Sequence, residues 1–300
     1  MPGKISVGAS SFAKENDNAV KILESAGYTV EKNPFGRKLN QDETIRHLEG
    51  AVGLLAGLET LNNDIFEKCP GLKSIARIGI GMDNVDIAAA AQRGIKVSNT
   101  PDAPTYAVAE MTVAALLSIA RRIIPANRDM HKGKWTKHMG LSLKGAKIAV
   151  IGYGRIGYAF AELLKPFGVE VLICDPVFEI SLTLDKVLAN ADIVSLHVSG
   201  KDEIIGKKEL ALMKPGTILL NSSRGALVNE PALIESLSSG SLGWYWGDVF
   251  EHEPYSGPLT KLDNAVLTPH ISTYTALCRE EMETAAARNI LRDLGAVIAL

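Results

Sequence analysis

The stretch Lys147 to Gly157, KIAVIGYGRIG, constrains the fold of this chain more than any other segment. An apolar, β-branched run leads into Gly152, Gly154 and Gly157, and a helical pattern follows. The first glycine permits a tight turn, the second lets the backbone approach a ligand closely, and the third lets a helix pack on a strand. In this context the spacing is typical of a βαβ unit that binds a dinucleotide pyrophosphate at a helix N-terminus.

An acidic residue ends the next predicted strand. Asp175 follows VEVLIC about twenty residues after the glycines, where a carboxylate accepts hydrogen bonds from ribose hydroxyls. Because a 2′-phosphate would meet a like charge there, the sequence predicts NAD rather than NADP as the cofactor. The alternative is a turn that merely requires glycines, although strand, glycines, helix and acid all agree with a cofactor site.

Short β-rich runs alternate with helical patterns along almost the whole chain. In the N-terminal part, strand-like runs at 5–7, 52–56 and 74–78 are separated by helical patterns at 19–26 and 61–68. The alternation predicts parallel sheets with helices on both faces.

A second series of strands begins at Lys147. Six strand-like runs follow one another there: KIAVI, VEVLIC, ADIVSLHV, GTILLN, WYWGDV and NAVLTP. A helical pattern from Tyr106 to about Arg122 connects the two parts, and the polar stretch His131 to His138 after it is expected to be exposed. Tyr274 to Leu294 indicates a terminal helix that crosses back onto the first part.

Size, charge and cysteine content narrow the class of protein. The 300 residues suffice for two domains, and a net charge of -2 gives no field that favours nucleic acid or an anionic membrane. No segment has the pattern of a membrane span or of a secretion signal. Cys69, Cys174 and Cys278 do not match metal-ligand spacing and suit a reducing compartment. We therefore expect a cytoplasmic protein that acts on a small molecule without a metal.

Three polar residues stand at the ends of successive late strands. Arg224 follows GTILLN, Glu253 follows WYWGDV, and His270 follows NAVLTP. Ligands bind at the carboxyl ends of strands in open α/β sheets, so the three are expected to share one site. An arginine kept for an anionic substrate can clamp it, a histidine can exchange a proton with a carbonyl or hydroxyl oxygen, and a carboxylate beside the imidazole favours and orients its protonated form. Taken singly, each residue has a structural alternative. Arg224 could form a structural ion pair, His270 could be a turn or helix-cap residue, and Glu253 could be a solvated carboxylate.

Several separated motifs together resemble one enzyme family. GYGRIG, NSSRGALVNE, GDVFEHEP and LTPHIS are similar to motifs of the D-isomer-specific 2-hydroxyacid dehydrogenases. RIGIGMDNVDIAAAAQRGIKVSNTP resembles the substrate loop of their D-3-phosphoglycerate dehydrogenase branch. The resemblance implies a Rossmann NAD domain, residues 100–270, inserted into a flavodoxin-like substrate-binding domain, residues 1–99 and 271–300. It also implies an active site in the cleft and a homodimer built largely through the NAD domains and the connector helix.

The resemblance gives each motif a role. It implies that Arg224 binds the substrate carboxylate and carbonyl, that Glu253 partners the histidine, and that His270 is the acid-base catalyst. The loop whose backbone amides hold the substrate carboxylate is implied at Arg77, Ile78, Gly79, Ile80 and Gly81. Cofactor contacts are implied for Gly152, Gly154, Arg155, Ile156, Gly157, Asp175, Ser223 and Asp248.

The implied activity is NAD-dependent interconversion of a D-2-hydroxy acid and its 2-oxo acid by hydride transfer. D-3-phosphoglycerate dehydrogenase is the first expectation, with Arg77 and the lysines between His131 and His138 as candidate cations for a phosphate. Reduction of glyoxylate or hydroxypyruvate is the alternative, and formate oxidation is disfavoured because that branch has glutamine where Glu253 stands. The C-terminal-binding-protein corepressors represent a different class, since they share the fold and the three residues but act mainly as NAD-sensing binding proteins.

Overall fold

The computed structural model describes residues 3–296, which form two compact units. The first unit combines the N-terminal segment up to Pro104 with the C-terminal segment from Tyr274, and the second is Thr105–Thr273. Each unit is built on one parallel sheet flanked by helices. The predicted fold class, α/β with two doubly wound parallel sheets, is confirmed.

The first unit contains a five-stranded sheet in the order β2-β1-β3-β4-β5. Its strands are β1 (Lys4–Val7), β2 (Thr29–Glu31), β3 (Ala51–Ala56), β4 (Ser74–Arg77) and β5 (Lys96–Ser98). Its helices are α1 (Asn18–Ser25), α2 (Gln41–His47), α3 (Asn63–Lys68), α4 (Ile87–Gln92) and α11 (Ala276–Asp293). The order 2-1-3-4-5 is that of flavodoxin-like sheets, whose ligands lie at the carboxyl ends of the strands.

The terminal helix α11 completes the core of the first unit. It packs against α1 and against β3 and β4, with Met282, Ala286 and Ile290 fully or almost fully buried. A Cβ on Gly53 would lie 3.2 Å from Cγ2 of Ile290, so the bare backbone of β3 allows this close approach. The predicted return of the chain end onto the first part is confirmed.

The second unit contains a six-stranded sheet in the order β11-β10-β9-β8-β6-β7, with every neighbouring pair parallel. The strands are β6 (Lys147–Ile151), β7 (Glu170–Cys174), β8 (Ile193–Leu196), β9 (Thr217–Asn221), β10 (Leu242–Gly247) and β11 (Ala265–Leu267). The helices are α5 (Pro104–Ala120), α6 (Ile123–His131), α7 (Arg155–Leu164), α8 (Leu184–Asn190), α9 (Lys207–Leu212) and α10 (Glu230–Ser239). The six strands are those that the sequence predicts.

Both faces of this second sheet are buried. Along β9, Ile218 and Leu220 join a cluster that contains Trp246, whereas Leu219 points to the other face and joins a cluster that contains Tyr245. A strand buried on both sides needs an unbroken apolar run, which is what the sequence provides. The polar residues that follow such strands therefore lie at the carboxyl ends of the strands.

The connector differs from its prediction in one respect. The helix α5 ends at Ala120, and Arg122 adopts a left-handed conformation with φ 56° before α6 begins. Residues 131–138 are exposed, as predicted. Within residues 3–296, no helix combines the length and the apolar character that a membrane crossing requires.

Candidate active site

The glycine-rich loop after β6 is shaped for a phosphate-bearing ligand. Gly152 has φ 87°, and a Cβ there would lie 2.7 Å from the carbonyl oxygen of His197. A Cβ on Gly157 would lie 2.1 Å from the carbonyl oxygen of Gly152, so α7 packs on β6 only because this position has no side chain. Apart from the adjoining backbone, no heavy atom of the described residues lies within 4 Å of where a Cβ on Gly154 would be. This opening at the start of α7 fits a pyrophosphate, because amide N–H groups and the helix dipole favour an anion there.

The carboxylate of Asp175 is fixed beside this loop. Its Oδ2 accepts a hydrogen bond of 2.6 Å from the amide of Tyr153, and its Oδ1 accepts one of 2.9 Å from the amide of Val177. A carboxylate has about four acceptor sites, so both oxygens can also accept from a ribose diol. A 2′-phosphate would be repelled, and the geometry therefore fits NAD.

The other predicted cofactor contacts also follow the carboxyl ends of strands in this sheet. Arg155 begins α7 and is exposed, and Ile156 is partly buried. Ser223 is nearly buried, and its hydroxyl donates a 2.7 Å hydrogen bond to the carbonyl of Leu196, which joins the ends of β8 and β9. Direct contacts of these residues with a cofactor remain predictions.

His270 and Glu253 form a hydrogen-bonded pair. Nδ1 of the imidazole lies 2.9 Å from Oε2 of Glu253, and Oε1 accepts a 3.0 Å bond from the amide of Phe250. Burial alone would raise the pKa of Glu253. The hydrogen bond and the charge of His270, the Phe250 amide and the charge of Arg224 together hold that pKa below its ordinary value. Glu253 is thus kept as a carboxylate that orients the ring.

Asp248 holds the loop that carries His270. It is fully buried, and its Oδ1 accepts from the Thr268 hydroxyl at 2.6 Å and from the Ile271 amide at 2.9 Å. Its Oδ2 accepts from the amide of Ser272 at 2.9 Å and from the hydroxyl of the same residue at 2.6 Å. These bonds flank His270, whose φ of 54° is a strained conformation for a non-glycine residue. The family resemblance implies a cofactor contact for Asp248, which stays a prediction, and the structure adds that its carboxylate accepts four hydrogen bonds from this loop.

Arg224 follows β9, the strand next to β10 in the sheet. Its Nη1 donates a 2.7 Å bond to the carbonyl of Ser223, and its own carbonyl accepts a 2.8 Å bond from the side-chain amide of Asn221. The guanidinium of Arg224 therefore already donates a hydrogen bond within the protein. Because a guanidinium carries five N–H donors, it can bind an anion as well. Its charge also contributes to the lowered pKa of Glu253, so Arg224 lies near the pair that Glu253 forms with His270. A common catalytic role for the three residues stays a prediction.

The predicted carboxylate loop lies at the end of β4 in the first unit. The amide of Ile78 donates to the carbonyl of Ala56 at 3.0 Å, and that of Gly79 donates to the hydroxyl of Thr100 at 2.8 Å. Gly79 has φ 135°, a conformation that glycine adopts without strain. Two of the predicted amides are thus used by the protein itself.

The second unit carries the signature of a known family. Residues 113–272 match the model of the D-isomer specific 2-hydroxyacid dehydrogenase, NAD binding domain. This span covers more than half of the chain and includes the glycine loop, Asp175 and the three catalytic candidates. The chain belongs to the D-isomer specific 2-hydroxyacid dehydrogenase family. It is accordingly an NAD-dependent oxidoreductase, as its motifs predict.

Members of this dehydrogenase family with different names resemble the chain to a similar degree. The glyoxylate reductase of Thermococcus litoralis is 39% identical over 92% of this chain and 90% of its own length. The D-3-phosphoglycerate dehydrogenase of Archaeoglobus fulgidus is 36% identical over 87% of this chain, which corresponds to only 52% of its own length. The solved structure of the TT0316 protein from Thermus thermophilus is 35% identical, with a TM-score of 0.89 and 97% of each chain covered.

Glu59 is a further buried ionisable residue of this dehydrogenase, and the sequence patterns did not single it out. This carboxylate is fully buried in the first unit, after β3, although the run LLAGLETL around it is otherwise apolar except for one threonine. Arg224 was recognised as an ionisable residue shortly after a buried strand, and the same pattern could have led to Glu59.

Proposed function

We propose that this dehydrogenase reduces small 2-oxo acids, with glyoxylate and hydroxypyruvate as its substrates, to the D-2-hydroxy acids. The single observation that carries the chemistry is the 2.9 Å contact between Nδ1 of His270 and Oε2 of Glu253. A relative named glyoxylate reductase that matches almost end to end supports this choice of substrate. D-3-phosphoglycerate dehydrogenase is the second candidate, because Arg77 stands at the end of β4 and can attract a phosphate.

His270 donates the proton to the substrate oxygen, and Arg224 stabilises the negative charge that develops on it. When bound, NADH supplies the hydride that reaches C2 of the 2-oxo acid. Because Nδ1 of His270 faces Glu253, the proton for the substrate oxygen comes from Nε2 of the same ring. Arg224 binds the substrate carboxylate and offsets the negative charge that grows on the oxygen. Oxidation of the hydroxy acid is the reverse, with neutral His270 as the base.

The first unit contributes the binding of the substrate carboxylate. Its loop from Arg77 to Gly81 ends a parallel strand, and the amides of Ile80 and Gly81 are the donors that suit an oxyanion. In this proposal residues 1–99 and 271–300 bind the substrate, and residues 100–270 bind NAD.

A homodimer in the cytoplasm is part of the same proposal. Large apolar side chains are exposed in α6 and in the segment after it, among them Met130, Trp135 and Met139, the last two 80% and 91% accessible. Exposed apolar patches of this kind mark protein interfaces. Sedimentation analysis of the wild type and of Trp135→Glu tests it, and a monomeric wild type would rule it out. The free thiols of Cys69, Cys174 and Cys278 suit a reducing compartment.

The function is tested by NADH consumption with a panel of 2-oxo acids: glyoxylate, hydroxypyruvate, pyruvate and 3-phosphohydroxypyruvate. We expect turnover with the first two. A protein that binds NADH and turns over no member of the panel would instead match the NAD-sensing binding proteins.

A further inference from the structure

A threonine hydroxyl links a buried tryptophan to a buried carboxylate at the ends of β10 and β11. The two strands run parallel, with Gly247 paired to Leu267. The next residues, Asp248 and Thr268, therefore lie side by side. The Thr268 hydroxyl donates a 2.6 Å hydrogen bond to Oδ1 of Asp248 and accepts a 3.1 Å bond from Nε1 of Trp246. Since Trp246 and Asp248 are both fully buried, these bonds form a network inside the protein.

The direction of both hydrogen bonds is fixed by chemistry. An indole N–H can only donate, so the oxygen of Thr268 accepts from Trp246, and its single proton is donated to the carboxylate of Asp248. A valine would have nearly the same shape but could make neither bond, and the buried indole N–H would lose its acceptor. A serine has the same hydroxyl and can keep both bonds.

Asp248 joins this network to the turn that carries His270. Its carboxylate also accepts hydrogen bonds from the amides of Ile271 and Ser272, both at 2.9 Å, and these two residues follow His270 directly. Thr268 precedes His270 by two positions, and its carbonyl accepts a 3.0 Å bond from the His270 amide. Asp248 therefore holds the turn on both sides of His270, through a hydroxyl before it and through two amides after it.

The backbone of His270 needs this support. Its φ of 54° is strained for a residue with a Cβ and persists only where the surroundings hold it. Pro269 has no N–H, so the donors nearest to His270 on the entry side are the amide of Thr268, which bonds the Gly247 carbonyl at 3.0 Å, and the Thr268 hydroxyl. If this side of the turn relaxes, the imidazole moves away from Oε2 of Glu253, which lies 2.9 Å from its Nδ1.

We infer that Thr268 is a positioning residue for the reduction, whose hydroxyl, held by the indole of Trp246, keeps His270 in the conformation that faces Glu253. The inference rests on the proposed function, in which His270 donates the proton. Because Thr268 acts through His270, loss of its hydroxyl lowers kcat and leaves the binding of NADH largely as it is.

Substitutions at this position separate the hydroxyl from the shape of the side chain. Thr268→Val should lower kcat with hydroxypyruvate by roughly 10-fold or more, while the dissociation constant of NADH stays within a factor of about three. Thr268→Ser restores the hydroxyl and should keep kcat within about three-fold of the wild type. Thr260, an exposed threonine with one hydroxyl bond to the Gly257 carbonyl, provides the matched control Thr260→Val, which should behave as the wild type.

A fourth variant covers the case in which Thr268→Val does not fold. Thr268→Cys has the size of Thr268→Ser, but its thiol is a weak donor and acceptor, so its kcat should be lower than that of the serine variant by about three-fold or more. Circular dichroism establishes that each variant is folded at the temperature of the assay, so that a difference in rate is not a difference in folded fraction.

A double-mutant cycle tests whether Thr268 acts through His270. In the His270→Ala protein the group to be positioned is already gone, so adding Thr268→Val, or Thr268→Cys, should change the residual rate by less than about two-fold. A residue that only supports the fold would lower the rate by the same factor whether or not His270 is present.

Two results would overturn the inference. One is a folded Thr268→Val, or Thr268→Cys in its place, with the kcat of Thr268→Ser. The other is a cycle in which the two losses multiply in full. In both cases the wild type still reduces hydroxypyruvate. A wild type that reduces no 2-oxo acid, or a His270→Ala variant with normal kcat, refutes the proposed function instead, and the inference falls with it.

Discussion

Oε2 of Glu253 and Nδ1 of His270 lie 2.9 Å apart, and the amide of Phe250 fixes the other carboxylate oxygen at 3.0 Å. The ring of His270 is therefore oriented by Glu253, whose carboxylate is in turn held by the amide of Phe250. This arrangement directs Nε2 away from Glu253 and leaves it for proton exchange with a substrate.

Replacing His270 by alanine should lower kcat by about 10³-fold, since the proton donor is lost while the cofactor loop is untouched. The dissociation constant of NADH should remain within a factor of about two of the wild type. His252, an exposed histidine in the preceding loop, provides the matched control His252→Ala, which should retain wild-type kcat. Stopped-flow rates and fluorescence titration measure the two quantities, and a normal kcat in the His270 variant would remove this residue from the chemistry.

Replacing Glu253 by glutamine should lower kcat for reduction by roughly 10-fold or more, because the carboxamide no longer holds the ring of His270 as the carboxylate does. The dissociation constant of NADH should remain within a factor of about two of the wild type. Glu251→Gln changes an exposed carboxylate two residues away and should retain the wild-type kcat. Steady-state rates with hydroxypyruvate measure the effect, and an unchanged kcat in Glu253→Gln would argue against the pairing.

The same pair should contribute to stability in acid. Since the pKa of Glu253 is held below its ordinary value of 4.5, its carboxylate stabilises the folded state above that pH, and this contribution is lost as the pH falls through the lowered value. In Glu253→Gln the free energy of unfolding should therefore fall less steeply below pH 4.5 than in the wild type. Urea unfolding at a series of pH values measures it, and equal slopes would contradict the pairing.

Asp248→Asn should destabilise the loop that carries His270. The amide nitrogen of asparagine would meet donors where the carboxylate accepts, so the free energy of unfolding should drop by about 3 kcal/mol. Asp263, which is exposed and pairs with Arg128, is the control, and Asp263→Asn should cost less than about 0.5 kcal/mol. Urea unfolding compares the two, and equal small losses would show that Asp248 does not hold the loop.

Asp175→Ser should relax the choice of cofactor. Removing the carboxylate removes the repulsion of a 2′-phosphate, so the ratio of kcat/KM for NADH over NADPH should fall by at least roughly 10-fold. Asp185→Ser, at the exposed start of α8, should leave the ratio as it is. If both variants keep the wild-type ratio, the ribose role of Asp175 is wrong.

The strongly patterned parts of the fold could be predicted from the sequence. β6 to β11 are apolar runs because both faces of their sheet are buried, and the glycines after β6 have steric reasons that a pattern reveals. Short elements left no such signal. β2 is a three-residue edge strand, and α4 is one short helix of mostly alanine, so neither has the periodicity that indicates an element.

The proximity of the candidate residues could be predicted from the sequence, whereas their contacts could not. Arg224, Glu253 and His270 follow adjacent strands, and the parallel order of β9, β10 and β11 is enough to bring them together. The burial of Glu59 could not be predicted, because it depends on Gly8, which is 51 residues away in the sequence and contacts it only in the folded sheet. The four hydrogen bonds of Asp248 depend in the same way on the loop after β11.

The most direct test of the central claim follows the hydride. NADH that carries deuterium at the transferred position is incubated with hydroxypyruvate and the wild-type protein, and the glycerate is analysed by mass spectrometry and chiral chromatography. We expect D-glycerate with one deuterium on C2, and no product from Arg224→Ala or His270→Ala above a background of about 10⁻³ of the wild-type rate. L-glycerate, unlabelled glycerate, or equal rates in the wild type and the His270 variant would contradict it.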